Sequence, residues 1–215
     1  MKKIVLAVLW VLGWMHVLAF SPSGGESTAD FIIAVMQADR DRVDPMVFMV
    51  FNLLGIWPLI MVAMLVQDTQ GKLKAWPFAF SSMILGNSAL YIYLFLRLPQ
   101  GRFAGSMSGL VRFAESKILA YFLLGSTVAL LVYGFSQGSF AVFTATWKTH
   151  FFVNVMTVDF FLFTAAFAFI LSDDMRRRNM QVNGRFWFYA LVPVLGAASY
   201  LVVRKPLSPG ASDEH

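Results

Sequence analysis

Apolar residues in this chain come in long unbroken runs. Six runs cover about residues 4–20, 46–66, 77–97, 116–135, 151–171 and 186–203. A helix needs about 20 apolar residues to cross a bilayer core, with about 17 as the lower limit. Unbroken runs predict helices, because a membrane strand would alternate apolar and polar positions. The pattern predicts an all-α, polytopic integral membrane helix bundle: one domain over residues 1–205 with about six transmembrane helices. The first run has an alternative reading. Lys2 and Lys3, an apolar stretch and then "SPSGG" also fit a signal peptide, whose removal would leave five helices. The run of 17 residues, longer than the usual apolar core of a signal peptide, and its Trp10 and Trp14 favour a retained helix.

The segments between the runs are punctuated. Asp44-Pro45 reads as N-cap and first helical residue of the second run, and Trp76-Pro77 opens the third in the same way. Residues 27–42 are too short and polar to cross. Ser27 with Asp30 resembles a capping box, and Phe31, Ile32, Val35 and Met36 share a strip, so an interfacial helix is expected there. Trp76, Tyr91, Tyr93, Tyr121, Tyr133, Trp147, Trp187, Tyr189 and Tyr200 lie toward the run ends and read as an interface belt. Residues 206–215 are expected to be a disordered polar tail.

Composition agrees with a bilayer as solvent. Of 215 residues, 58% are hydrophobic and 13% charged, against about 25% charged in a soluble domain. The net charge of +5 is spread over short loops. It reads as the positive-inside signal and points away from nucleic acid. With six crossings, Lys2, Lys3, Lys72, Lys74, Lys148, Arg204 and Lys205 share one side. Arg40, Arg42, Arg97, Arg102, Arg112, Lys117, Arg176, Arg177, Arg178 and Arg185 share the other. The larger set puts the "DDMRRRNMQVNGR" loop in the cytoplasm and both termini outside. Nothing resembles a transit peptide, so a bacterial inner membrane is favoured over a thylakoid.

The candidate chemistry is sparse. Asp159 stands among phenylalanines about 13 Å into its run. An ionised aspartate there costs at least about 2.5–3.5 kcal/mol. Asp159 should therefore be protonated or bonded to a neighbouring helix. Its expected partners are Asn52, Asn87 or the Leu54 carbonyl, which Pro58 leaves without a helical donor. His150 and Asn154 fall on the opposite face of the same helix. Together Asp159, Asn52, Asn87, Asn154 and His150 form the candidate intramembrane polar site. Ala79, Ser82, Gly86 and Ala89 form a seam for close helix packing. "SDDMRRR", with Asp173, Asp174, Arg176, Arg177 and Arg178, reads as a topogenic loop on anionic headgroups or as a docking site.

No cofactor is predicted, although bound lipid or pigment has room. The chain lacks cysteine, which removes thiolate metal sites and disulfides. His16 and His150, on parallel odd-numbered runs, should lie roughly 20 Å apart near opposite faces, too far for one haem. No Gly-rich phosphate loop, HExxH or GxSxG is present.

"DPMVFMVFNLLGIWPL", "FFVNVMTVDFFLF…ILSDDMRRR" and "ALVPVLGAASYLVVR" together resemble a family of small polytopic membrane proteins of bacteria, cyanobacteria and plastids. The resemblance spans about residues 45–204. It implies a fold class and no activity. The leading expectation is a non-enzymatic binding or assembly protein for a protein, lipid or apolar cofactor, with a membrane-protein partner or a second copy as company. The alternative is a small transporter or proton-coupled carrier using Asp159. A third is an intramembrane enzyme on a lipid or quinone.

Overall fold

A computed structural model of the chain describes residues 2–23, 27–68, 73–98, 103 and 106–207. Lys72, Arg102 and most of the expected tail, 208–215, lie outside the described residues. The helices in chain order are α1 (Lys2–Phe20), α2 (Thr28–Met36), α3 (Pro45–Leu65), α4 (Ala75–Leu85), α5 (Asn87–Leu96) and α6 (Gly109–Ala114). They continue as α7 (Lys117–Gln137), α8 (Phe140–Thr149), α9 (Phe151–Arg177), α10 (Arg185–Leu191) and α11 (Leu195–Val203). Among the described residues there is no strand. Four helices, α1, α3, α7 and α9, are long and apolar enough to cross a membrane, and they point to a membrane protein.

Local chemistry sets several of these ends. Asp44 accepts from the Met46 N–H at 2.8 Å, and Pro45 takes the first position of α3, where its missing N–H costs nothing. Ser116 and Ser139 cap α7 and α8 in the same manner. In α2 the expected cap at Ser27 makes no side-chain bond. Phe31 and Val35 are buried, while Met36 is exposed.

The runs at 77–97 and 186–203 are not single helices, which corrects the reading of each as one transmembrane helix. Each folds back on itself. The rings of Phe78 and Tyr93 lie 5.6 Å apart, where one continuous helix would separate them by about 22 Å. Tyr189 and Tyr200 are also 5.6 Å apart, against about 16 Å in a continuous helix. The first reversal is at Gly86, with φ +62° and ψ −159°, a conformation open only to glycine. The second follows Pro193 at Val194, with φ +56°. There Gly196 lies so close to the Phe188 carbonyl that a Cβ has no space.

Two hairpins change the direction of everything around them. Lys3 donates to the Phe95 and Arg97 carbonyls, both at 2.7 Å, so the start of α1 meets the end of α5. Lys117 reaches the carbonyls of Val202 and Arg204. This is the proximal end, where both hairpins open. At the distal end Asp44 accepts from the Ser139 N–H at 3.1 Å, and Ser21 donates to Asn154 at 2.8 Å. α1 and α9 are therefore antiparallel. The six-crossing scheme had put Lys3 and Arg97 on opposite sides and had made α1 and α9 parallel; both assignments are corrected.

The core runs along α3 and α9. Trp57 is fully buried and stacks on Phe163 at 6.1 Å, with Phe167 at 5.9 Å. α1 and α7 instead expose Ile4, Leu12, Leu18, Ile118, Phe122 and Phe135, faces suited to lipid chains. Three members of the expected aromatic belt prove to be interior. Tyr91, Tyr93 and Tyr200 are buried, because each phenol finds an acceptor inside the bundle: the Leu162 carbonyl, Asp68 and Asp174. Trp76, Tyr121 and Trp187 stay exposed.

Candidate functional site

The first hairpin carries the tip formed by Gly86 and Asn87 to Asp159. The Asp159 carboxylate accepts from the Asn87 backbone N–H at 3.0 Å and from the Asn87 side-chain amide, both on Oδ1. Asp159 is thus an N-cap supplied from another helix. It lies beside the positive end of the α5 dipole, which favours a carboxylate. A Cβ at Gly86 would stand 2.8 Å from Asp159 Oδ2, so the glycine also permits the approach. A cleft of about 30 Å³ lies alongside, bounded by Gly13 and Trp14 of α1, Ser88 of α5, and Val158 and Leu162 of α9. Asn87 Oδ1 is buried without a partner.

The other members of the expected polar site are elsewhere. Asn52 donates to the Phe48 carbonyl of its own helix at 2.8 Å. Asn154 accepts from Ser21 and donates to the Trp147 carbonyl at 3.2 Å. His150 packs on Phe31, with ring centroids 4.1 Å apart, and neither of its ring nitrogens is bonded. Burial holds the His150 imidazole below its ordinary pKa, in the neutral form.

His16 and Trp147 stack at 5.8 Å and line a distal cleft of about 400 Å³ with Phe20, Lys148 and Asn154. His16 Nε2 and Trp147 Nε1 are buried and unpartnered there. His16 and His150 are not separated by depth, a correction to the expected opposite faces: α1 and α9 run antiparallel and both histidines sit at the distal end. His16 packs on Trp147 and His150 on Phe31.

The proximal end holds a set of buried charges. The Asp68 side chain is fully buried. It accepts from Arg97 Nε at 2.5 Å, Arg97 Nη2 at 3.1 Å, Arg177 Nη2 at 2.7 Å and the Tyr93 hydroxyl at 2.8 Å. Arg97 also reaches Asp173 at 2.7 Å. Arg178 grips Glu115 with two nitrogens, at 2.7 and 2.8 Å, and Asp174 at 2.8 Å. Tyr200 donates to Asp174 at 2.7 Å, and Arg204 reaches Glu115 at 2.9 Å. Four carboxylates meet four guanidiniums. Burial alone would lower the Arg178 pKa, but its bonds to Glu115 and Asp174 outweigh it and hold the group above its ordinary value. Arg204 is held below its ordinary value, first by burial and then by the neighbouring Arg178 charge.

"SDDMRRR" is therefore not a free loop. α9 continues through Arg177, and Asp174, Arg177 and Arg178 turn inward; Arg176 is exposed and Asp173 half-buried. Sequence reasoning missed the partners, Asp68, Arg97, Glu115 and Arg204. The one signal available was position: each lies within a turn or so of the end of an apolar run.

Four crossing-length helices with two same-sided helical hairpins define a membrane-type helix bundle. Comparison with known proteins returns no matching family model, no matching curated protein and no matching solved structure.

Proposed function

We propose that the chain is a non-enzymatic, multi-pass membrane protein that binds an amphiphile, a lipid or an apolar cofactor, in the distal cleft. Six segments enter the bilayer: four cross, and two hairpins enter and leave at the proximal end. The resemblance to small polytopic proteins of bacteria, cyanobacteria and plastids belongs to the same proposal. Hairpin topology makes the charge balance one-sided. Lys3, Lys74, Arg97, Arg112, Lys117, Arg176, Arg177, Arg178, Arg185, Arg204 and Lys205 gather at the proximal end. Among the described residues, only Arg40, Arg42 and Lys148 lie distally. The positive-inside rule then puts the proximal end, with both chain termini, in the cytoplasm of a bacterial inner membrane.

The observation that carries the reading is unspent hydrogen-bonding capacity. The proximal charges are engaged with one another. The distal cleft has aromatic walls, one ammonium at Lys148, and two buried nitrogens with no protein partner. Apolar walls with a few convergent polar groups are what small-molecule sites present, and about 400 Å³ lies within their usual range. Native mass spectrometry from a mild detergent tests it. The expected result is a lipid-sized adduct, weakened by Trp147→Phe, which keeps a ring and removes the N–H, and by Lys148→Gln. An adduct equally retained by both variants refutes the site.

A second reading is a small cation- or proton-coupled carrier. It is favoured by one observation, a hairpin tip resting on an intramembrane carboxylate, since broken helices at mid-depth are where transporters hold ions.

A further inference from the structure

We propose that the tip of the α4–α5 hairpin is a binding site for one small monovalent metal cation of sodium's size. The inference deepens the carrier reading and is independent of the distal cleft, so either can fail alone. The argument begins with oxygens. Both donors from Asn87 fall on Asp159 Oδ1, which leaves Oδ2 to the small cleft beside it. Asn87 itself is 2% exposed, and its Oδ1 has no partner. Two neighbouring acceptor oxygens without donors are a poor arrangement for a dry interior and a good one for a cation. The Ser88 hydroxyl lines the same cleft and adds a third side-chain oxygen. Oxygen ligands of this kind suit a hard cation.

Charge and size narrow the ligand. Among the described residues, Asp159 is the sole carboxylate or basic side chain lining the cleft. α1 contributes Trp14 there, and Tyr91 of α5 is tied to the Leu162 carbonyl at 3.0 Å. One negative charge balances a monovalent ion, whereas calcium takes about 6–8 oxygens and usually several carboxylates. About 30 Å³ exceeds the roughly 10–15 Å³ that one water needs, so a dehydrated sodium or lithium ion fits and choline does not.

The test uses the full chain in detergent. Radiolabelled sodium should bind saturably, one per chain, and be displaced by unlabelled sodium or lithium but not by choline. Melting temperature in sodium chloride should exceed that in choline chloride at equal ionic strength. At about 100 times the dissociation constant the difference should be roughly 5–10 °C. Asp159→Asn keeps an acceptor for both Asn87 donors and should abolish the binding and the sodium-specific shift; Arg176→Gln, on the exposed surface, should keep them. Equal melting in sodium and choline, or unaltered sodium binding by Asp159→Asn, overturns the proposal. So does a wild type whose stability responds to pH and not to sodium, since the tip then takes a proton. If Asp159→Asn fails to give a cooperative melt, the wild-type sodium-binding curve alone decides.

Discussion

Replacing Asp68 by Asn should be among the most damaging single changes in this chain. The side chain is fully buried and accepts four bonds, from Arg97, Arg177 and Tyr93. An amide keeps the size and part of the bonding, but removes the only charge that both arginines share. Arg97 retains Asp173, but Arg177, 2% exposed at its side chain, keeps only a contact to Gln67 at 3.5 Å. Removing one partner of a buried pair costs about 3–5 kcal/mol, because the other charge is left in a low dielectric. At roughly 2–4 °C per kcal/mol for a chain of this size, the melting temperature should fall by about 6–20 °C. Thermal unfolding in one detergent, followed by tryptophan fluorescence, measures this. Arg177→Met in the same background should recover part of the loss, because it removes the orphaned charge. A variant that melts within about 2 °C of wild type would refute the reasoning, and would mean that water reaches Asp68.

Four other outcomes are expected. In sodium-free choline chloride, Asp159→Leu should cost about 1–3 kcal/mol through two orphaned Asn87 donors, while Asp159→Asn should cost under about 1 kcal/mol; melts of the two variants separate them. Gly86→Ala should destabilise by about 1–3 kcal/mol, since it strains φ +62° and drives a Cβ toward the Asp159 carboxylate, and the same melts read it out. The depressed pKa of His150 means that its neutral form is preferred in the fold. Its contribution is whole above the unfolded value of about 6.5 and is lost as pH falls below it. Stability against pH should slope less in His150→Leu than in wild type over that acidic window. Single cysteines at Asn179 and Thr144 should label oppositely: an impermeant thiol reagent added to intact cells should reach the second and not the first.

Much of the bundle was legible because composition and helix chemistry are local. The run at 151–171, the cap at Asp44-Pro45 and the isolation of Asp159 all follow from residues near each other in sequence. So did Asn87 as a partner, since few polar side chains lie at that depth. The hairpins were not legible. A run that crosses once and a run that reverses at Gly86 have the same length and hydropathy, and only the Gly-Asn step and Pro193 hinted otherwise. That single ambiguity spread to every parity argument: the orientation of the termini, the even split of basic residues, and the separation of His16 from His150. The inward turn of Arg177 and Arg178 was hidden for another reason. Their acceptors, Asp68 and Glu115, are 109 and 63 residues away in the chain, and periodicity carries no record of such pairings.

The cap on the first hairpin is 72 residues downstream of the tip it satisfies. Chains emerge from the ribosome at about 5–20 residues per second, so roughly 4–14 s separate the synthesis of Asn87 from that of Asp159. During that interval the tip amides have no protein acceptor, and an apolar interior would penalise them. The nascent hairpin should therefore wait at the membrane surface and sink only when α9 arrives. A ribosome-stalled chain ending before Asp159 should leave a cysteine at Ser88 open to water-borne reagents, and one ending after Arg178 should protect it.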